Sequence, residues 1–488
     1  MDQTRAPLFE GLIAHARRGA YPFHIPGHKA GRGMDPAFRE WVGEKTLAID
    51  LINIAPLDDL HAPRGIIRDA ERLAAEAFGA ENAFFSVQGT STAIMAMVLA
   101  AVGPREKIVV PRNVHKSVLS AIVLAGAVPI FIYPEMDERF GIAHGVSAAA
   151  VNKALDEHPD AKAVLVVSPT YYGVAVDLPA IVEAAHRRDI PVLVDEAHGA
   201  HFAFHPKLPP SAMQSGADAA ATSVHKLGGS LTQSSLLLHQ GRRLTPERLR
   251  VTLSLLMTTS TSYLLLASLD TARRQLALLG RDKLEAAMER AEIVRRAVRT
   301  IPGLVALEAD DVPPDAFGLD PTKLTVHVLG LGISGSDAEV WLREHAGIEV
   351  ELSDLYNALF LFTLADDDDA VRRLTDALRR LSHAHRQNGA KATRPILLPE
   401  MPALALSPRD AFYAETERVP LDAAEDRIMA EFIMVYPPGI PVVMPGEILT
   451  RENIEYIKAN VEEGLPVQGP EDATLKTVKV IKERTPLR

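Results

Sequence analysis

The stretch Thr222-Ser223-Val224-His225-Lys226, taken with Val192-Leu193-Val194-Asp195-Glu196-Ala197-His198 upstream of it, decides how the chain is read. Val192 to Val194 is a short apolar run that predicts a buried strand, with Asp195 at its C-terminal tip. Lys226 lies just past a polar, hydroxyl-bearing segment. An enzyme that holds an aldehyde cofactor as an imine needs such a lysine, together with a carboxylate that keeps the cofactor's ring nitrogen charged. A lone Ser-x-His-Lys string is more often a surface lysine after a loop, so the neighbouring segments have to carry the argument.

Working outward, apolar runs predict strands at 83–87, 107–110, 129–132, 163–167, 191–194 and 231–238. Helices are predicted at 67–78, 93–102, 118–125, 148–157 and 178–187, with Gly79 and Gly126 as stop signals. Continuous apolar strands alternating with helices imply an α/β chain whose parallel sheet is buried on both faces. In such a sheet ligands bind beyond the carboxyl ends of the strands. Gly89, His115, Tyr171, Asp195 and Lys226 all fall there. The turn Gln88-Gly89-Thr90-Ser91-Thr92 joins a strand to a helix N-terminus, where free N–H groups, the helix dipole and two hydroxyls suit a phosphate. The convergence makes Lys226 the candidate for binding pyridoxal phosphate.

Composition narrows the alternatives. At 488 residues and 47% hydrophobic content, the chain is long enough for about three domains. Its net charge of -11 comes from acids spread along the chain, so no basic stripe is offered to a phosphate backbone and nucleic acid is not an expected partner. The absence of cysteine removes disulfides, iron-sulfur clusters and thiol nucleophiles together. Met1-Asp2-Gln3-Thr4-Arg5 lacks the pattern of a signal peptide and no apolar run is long enough to span a bilayer, so a cytoplasmic protein without a membrane partner is expected. His24 and His28 have no third ligand nearby in sequence, and no metal is expected.

The remaining chain divides by pattern. Residues 1–30 read as an N-terminal arm with a short amphipathic helix, of a kind that docks on a partner subunit, followed by a loop rich in proline and glycine. Residues 31–290 form the large domain, and the long helix expected at 268–300 connects it to a small α+β domain at 291–385. That domain has predicted strands at 323–328, 348–352 and 359–364 and helices at 337–344 and 370–381. The four acids Asp366 to Asp369 read as a solvated helix cap. A polar linker at 383–393 leads to a C-terminal unit at 386–488.

Set side by side, the motifs resemble the bacterial ornithine/lysine/arginine decarboxylases: Pro26-Gly27-His28-Lys29, Leu57-Asp58-Asp59-Leu60-His61, Gly89-Thr90-Ser91, Asn113-Val114-His115-Lys116-Ser117, Pro169-Thr170-Tyr171-Tyr172-Gly173, Asp195 to His201, Ser223 to Lys226 and Pro437-Pro438-Gly439-Ile440-Pro441. That resemblance implies the aspartate-aminotransferase-like fold with a mostly parallel seven-stranded sheet, a small α+β domain and a C-terminal α+β domain. It is nearest to the short bacillus-type arginine-specific members, which lack an N-terminal wing. It implies conversion of L-arginine to agmatine and carbon dioxide, a polyamine-forming step, with lysine and ornithine as alternative substrates. An aminotransferase or aldolase on the same fold and a non-catalytic regulator are the rival readings.

The same resemblance implies residue roles. Lys226 would hold the cofactor covalently, Asp195 would pair with its ring nitrogen, and His115 would stack on the ring. Gly89, Thr90, Ser91 and Ser223 would bind the phosphate, and His198 would lie near the phenolic oxygen. Lys226 or His225 would return a proton to the substrate. Ser260, in Thr259-Ser260-Thr261 where relatives carry Thr-Ser-Pro, would reach the phosphate from the neighbouring subunit of a homodimer. Relatives carry Asp-Leu-Thr-Glu where this chain has Asp50-Leu51-Ile52-Asn53. Asp59, Glu425 and Glu447 are the carboxylates within motifs that could grip the distal cation of the substrate.

Overall fold

A computed structural model describes residues 1–313, 317–386, 389, 398–435, 440–462, 465 and 467–482. Its centre is a seven-stranded sheet: β1 (Asn82–Ser86), β2 (Lys107–Pro111), β3 (Val128–Ile132), β4 (Ala161–Val167), β5 (Val192–Asp195), β6 (Ala219–Thr222) and β7 (Ser235–His239). The spatial order is β1-β7-β6-β5-β4-β2-β3. Every neighbouring pair from β6 to β3 is parallel, and β7 runs antiparallel to both β1 and β6.

Two details differ from the pattern-based expectation. The strand expected at 231–238 begins only at Ser235 and lies inside the sheet, so the start of β7 meets the ends of β1 and β6 at one edge. β6 had no place among the expected strands. It consists of Ala219, Ala220, Ala221 and Thr222, residues whose intrinsic preference is not for strand, yet all four are wholly buried. Tertiary packing overrides propensity there.

Four helices hold the sheet edge and its neighbours in place: α1 (Pro7–Arg17), α2 (Gly89–Ala101), α3 (Lys116–Ala125) and α4 (Tyr263–Val298). α1 is folded into its own chain, because Leu8 and Leu12 are completely buried in the main core. Asp270 of α4 accepts from the Leu8 amide at 2.9 Å, and Arg273 bonds Asp270 at 2.6 Å while donating to the Gln3 and Arg5 carbonyls. The start of the region expected as an arm is therefore clamped by a buried ion pair.

α4 serves two cores. Leu266 and Leu276 belong to the main one, while Ala287, Ala291, Val294 and Val298 belong to a second. The second core backs a four-stranded antiparallel sheet of Val305–Ala306, Lys323–His327, Asn357–Leu361 and Leu352–Ser353, in that order. Of the strand expected at 348–352, only its last residue is strand. The acidic run behaves as a cap, with Asp367 accepting from the Ala370 amide at 3.0 Å. A third core joins Leu421, Ile433, Val443, Ile457 and Val480 in the C-terminal region. Pro437-Pro438-Gly439, and residues 387–388 and 390–393 of the expected linker, lie outside the described residues. No helix among the described residues is long and apolar enough to cross a membrane.

Candidate active site

Adjacent parallel strands set Asp195 and Lys226 at one edge. β5 ends in Asp195, which lies opposite Ala221 of β6, and β6 runs through Ser223 into the short helix Val224–Leu227 that carries His225 and Lys226. Asp195 is only 4% exposed, and among the described residues its carboxylate has one hydrogen bond, from the Ala197 amide at 3.1 Å. Burial pushes its carboxyl up to about 6, against the pull of that amide and of Lys226. The neighbouring Glu196 is pushed up by burial to about 8 and accepts from the Ala212 amide at 2.6 Å.

The Lys226 amine meets His198, with Nζ to Nε2 at 2.8 Å. The Tyr171 ring lies under both groups, its centroid 5.2 Å from Lys226 Nζ and 4.3 Å from the His198 ring. The other imidazole nitrogen, Nδ1, is 3.0 Å from Nζ of Lys323, which also donates to the Tyr171 carbonyl at 2.6 Å. Desolvation drives His198 well below the usual histidine range, with the two lysines acting in the same direction. It also lowers Lys226, opposed by Asp195 and Glu351. A pocket lined by His225, Lys226, Gln275, Lys283 and Thr363 opens beside the lysine, between α4 and the second sheet.

The sheet edge also gathers hydroxyls. Thr90 Oγ1 bonds Ser223 Oγ and, at 2.7 Å, Ser235 Oγ, uniting the starts of α2 and β7 with the residue after β6. Gly89 has φ +78°, and a Cβ there would meet nothing within 4 Å, so the turn faces open space beside the helix N-terminus. Ser91 stands half-buried in that turn. His115 caps α3: its Nδ1 accepts from the Ser117 amide at 3.2 Å, which leaves the proton on Nε2. Burial lowers His115, and the charge of Lys226 contributes. His225 donates from Nδ1 to the Ser234 carbonyl at 2.9 Å.

Within one chain some candidates stand apart. Ser260 sits on an exposed loop, bonded to Thr258 Oγ1 at 3.0 Å. Glu447 is taken by Arg112 in a buried two-point ion pair whose longer contact is 2.7 Å. Glu425 pairs with Arg451 at the surface. Asp59 accepts from the His61 amide at 2.9 Å. His28, weighed as a metal ligand, lies 3.1 Å from Asp50. No group of three or more potential metal ligands occurs among the described residues.

Lys323 and Glu351 were missed by the reading of the sequence. Lys323 passed as the first letter of an apolar strand. An amine opening the buried run Leu324-Thr325-Val326 was the available signal, since lysine is almost never fully buried without a partner.

The donor set fits an aldehyde-phosphate cofactor with a basic ring. Asp195 is a buried carboxylate with no hydrogen-bonded cation among the described residues, Lys226 is a desolvated amine, and Gly89 leaves room by a helix N-terminus. A mostly parallel seven-stranded sheet that brings an aspartate and a lysine together at its carboxyl edge is the aspartate-aminotransferase-like fold.

Comparison with known proteins narrows that class. The family model described as Orn/Lys/Arg decarboxylase, major domain, matches residues 6–370, and that of the C-terminal domain matches 391–468. The chain belongs to the Orn/Lys/Arg decarboxylase family. It is 57% identical to an arginine decarboxylase of Bacillus subtilis over 99% of both chains. It is also 57% identical to an arginine decarboxylase of Bacillus anthracis, over 100% of this chain and 99% of that one. The lysine decarboxylase LdcF of Francisella novicida shares the fold, with a TM-score of 0.85 at 23% identity over 98% of this chain and 81% of that one.

Proposed function

We propose that the protein is a pyridoxal-phosphate-dependent decarboxylase of a basic amino acid, L-arginine, releasing agmatine and carbon dioxide. The observation that carries the reading is the buried Asp195 carboxylate, bonded only to a backbone amide and set beside a desolvated lysine. When bound, the cofactor supplies an electron sink for the pair left behind as the substrate carboxylate departs. The preference for arginine over lysine and ornithine rests on the two Bacillus enzymes of that name.

In this reading Lys226 would be the residue that holds the cofactor covalently. Asp195 holds a proton on the ring nitrogen: a cation against its carboxylate removes the reason for its raised pKa, so each group keeps the other charged. His115, fixed by the Ser117 amide and kept neutral by burial, would be the imidazole that holds the cofactor ring. The α2 N-terminus with Gly89, Thr90 and Ser91, helped by Ser223, receives the phosphate. Lys226 or His225 returns the proton to the substrate carbon. Ser260 would complete the phosphate site from a second copy in a homodimer, and the enzyme would work in the cytoplasm in a polyamine-forming step. The large unit would span 31–290, the small one 291–385 and the C-terminal one 386–488.

Purified protein loaded with pyridoxal phosphate should be yellow and lose that colour on borohydride reduction. Arginine, lysine and ornithine offered separately should release carbon dioxide fastest from arginine. Transamination without gas overturns the assignment, and a preference for lysine or ornithine overturns the substrate.

A further inference from the structure

The imidazole of His198 is held between two amines, and an imidazole in that position does not leave their protons independent. It is neutral, so one ring nitrogen carries a proton and the other a lone pair. If Lys323 is the ammonium, it donates to Nδ1, the proton lies on Nε2, and Nε2–H needs the lone pair of a neutral Lys226. If Lys226 is the ammonium, the pattern reverses and Lys323 is neutral. Either arrangement satisfies the contacts of 2.8 and 3.0 Å, and each contains one ammonium.

We infer that Lys323 and His198 form a proton relay for the free amine of Lys226. Lys226 Nζ gives a proton to His198 Nε2 as His198 Nδ1–H passes to Lys323 Nζ, so that the two amines share one proton. Charge and atoms balance, and no other reactant is needed. The relay rests on the reading of Lys226 as the cofactor lysine. It would act in the states where that amine is free: before the cofactor is attached, and after the substrate has displaced it.

The surroundings are built for this. Lys323 is 2% exposed, and its ammonium has the Tyr171 carbonyl as a second acceptor. Gly173, at φ +91°, leaves the space its stem needs: a Cβ there would sit 3.0 Å from Lys323 Cδ and 3.2 Å from Asp320 Cβ. Charged and titratable groups face both ends. Asp195, Glu351, His115, His198 and His225 surround Lys226. Asp320, Glu351 and His198 surround Lys323, and His201 stands behind His198. Burial brings Lys323 down to about 7, and the charge of Lys226 contributes in the same direction. An amine so poised accepts a proton near neutrality, as an ordinary lysine would not. Lys323 is thus a positioning residue, acting on Lys226 through His198.

The test is a titration of the full-length protein freed of cofactor, labelled with 13C at lysine Cε and 15N in histidine. Spectra of Lys226→Ala and Lys323→Met assign the two signals. Near pH 8 the two amines should together carry one proton and move together with pH, while His198 shows one protonated nitrogen. Two fully charged amines at that pH overturn the relay. In Lys323→Met, of similar length without charge, the Lys226 midpoint should rise by about one pH unit, so attachment of pyridoxal phosphate at pH 7 slows about tenfold. An unchanged midpoint in the folded variant also overturns it. Should that variant not fold, Lys323→Gln serves, keeping a donor to the Tyr171 carbonyl, and the titration of the unaltered protein decides alone. Failure of the protein to take up colour at all counts against the reading of Lys226, which the titration does not depend on.

Discussion

Two sites in this molecule bury charge, and they do it differently. Arg112 and Glu447, with side chains 0% and 1% exposed, meet in a two-point ion pair, and Arg112 also donates to the Pro441 carbonyl at 3.0 Å. Glu447 accepts from the Met444 amide at 2.7 Å as well. Every charge there has a countercharge. At the sheet edge, Asp195 has one backbone amide, and Lys226 and Lys323 share an imidazole. Desolvation without a bonded countercharge leaves groups poised to gain a partner or exchange a proton. The complete pair fastens the large unit to the C-terminal region, and the incomplete set is where chemistry is expected.

The sharpest way to break that contrast is to remove the poised amine. Lys226→Ala should lower decarboxylation by roughly a thousandfold or more, because it removes the amine that takes the covalent role. The protein should stay folded, since a desolvated lysine contributes no net stability. Activity assays paired with denaturant melts check both halves. Retained turnover would mean that the incomplete site is not the catalytic one.

The complete pair should respond the opposite way. Glu447→Ala strands a buried guanidinium and should cost about 3–5 kcal/mol of stability, read as an earlier urea midpoint for the C-terminal region. Replacing both partners, Arg112→Met with Glu447→Met, should recover most of that loss, because two apolar groups need no countercharge. Arginine turnover in the double variant should stay near the starting level. A large drop in turnover would show that the pair also sets the His115 turn, three residues past Arg112.

Asp195 tests the contrast through pH. Its folded carboxyl is raised to about 6 from an ordinary value of 3.8. The folded cofactor-free chain therefore binds more protons than the unfolded chain between those values, and stability falls as pH rises through that window. A shift of that size corresponds to about 3 kcal/mol, fully expressed above pH 6 and absent below pH 4. Binding a ring cation should remove the cost, so the melting-temperature gain on cofactor loading should grow from pH 5 to pH 8. Asp195→Asn should flatten that growth and slow turnover about 100- to 1000-fold, as loss of a preorganised charge does.

The same physics governs how much of the site was legible in the letters. Asp195, His115 and Gly89 were readable because an apolar strand announces its own end, and the residues just past that end in a parallel sheet must stand at the ligand edge. β6 was hidden because three alanines carry no strand preference, and only burial between β5 and β7 makes them one. Glu447 looked like a free carboxylate because Arg112 lies 335 positions away in sequence. Lys323 was invisible for the same reason, being 125 positions from His198. Contacts that close across distant segments leave no local pattern, and these assign partners to buried charges.

Thr90 offers the smallest effect, and it tests whether the hydroxyl cluster belongs with the complete or the incomplete site. The sequence suggested a phosphate contact, yet its hydroxyl is shared between Ser223 and Ser235, and Thr90 is 7% exposed. Thr90→Val keeps the shape and deletes the hydroxyl, leaving two buried serines to find other partners, at a cost of about 1–3 kcal/mol. Thr90→Ser keeps the bonds and should cost less than half as much. If the hydroxyl only ties the strand ends together, cofactor affinity measured by spectroscopic titration should fall little in Thr90→Val beyond the loss of stability. If it turns toward a phosphate when one is bound, affinity should fall about tenfold further than the loss of stability explains, and the cluster then belongs with the groups left waiting for a partner.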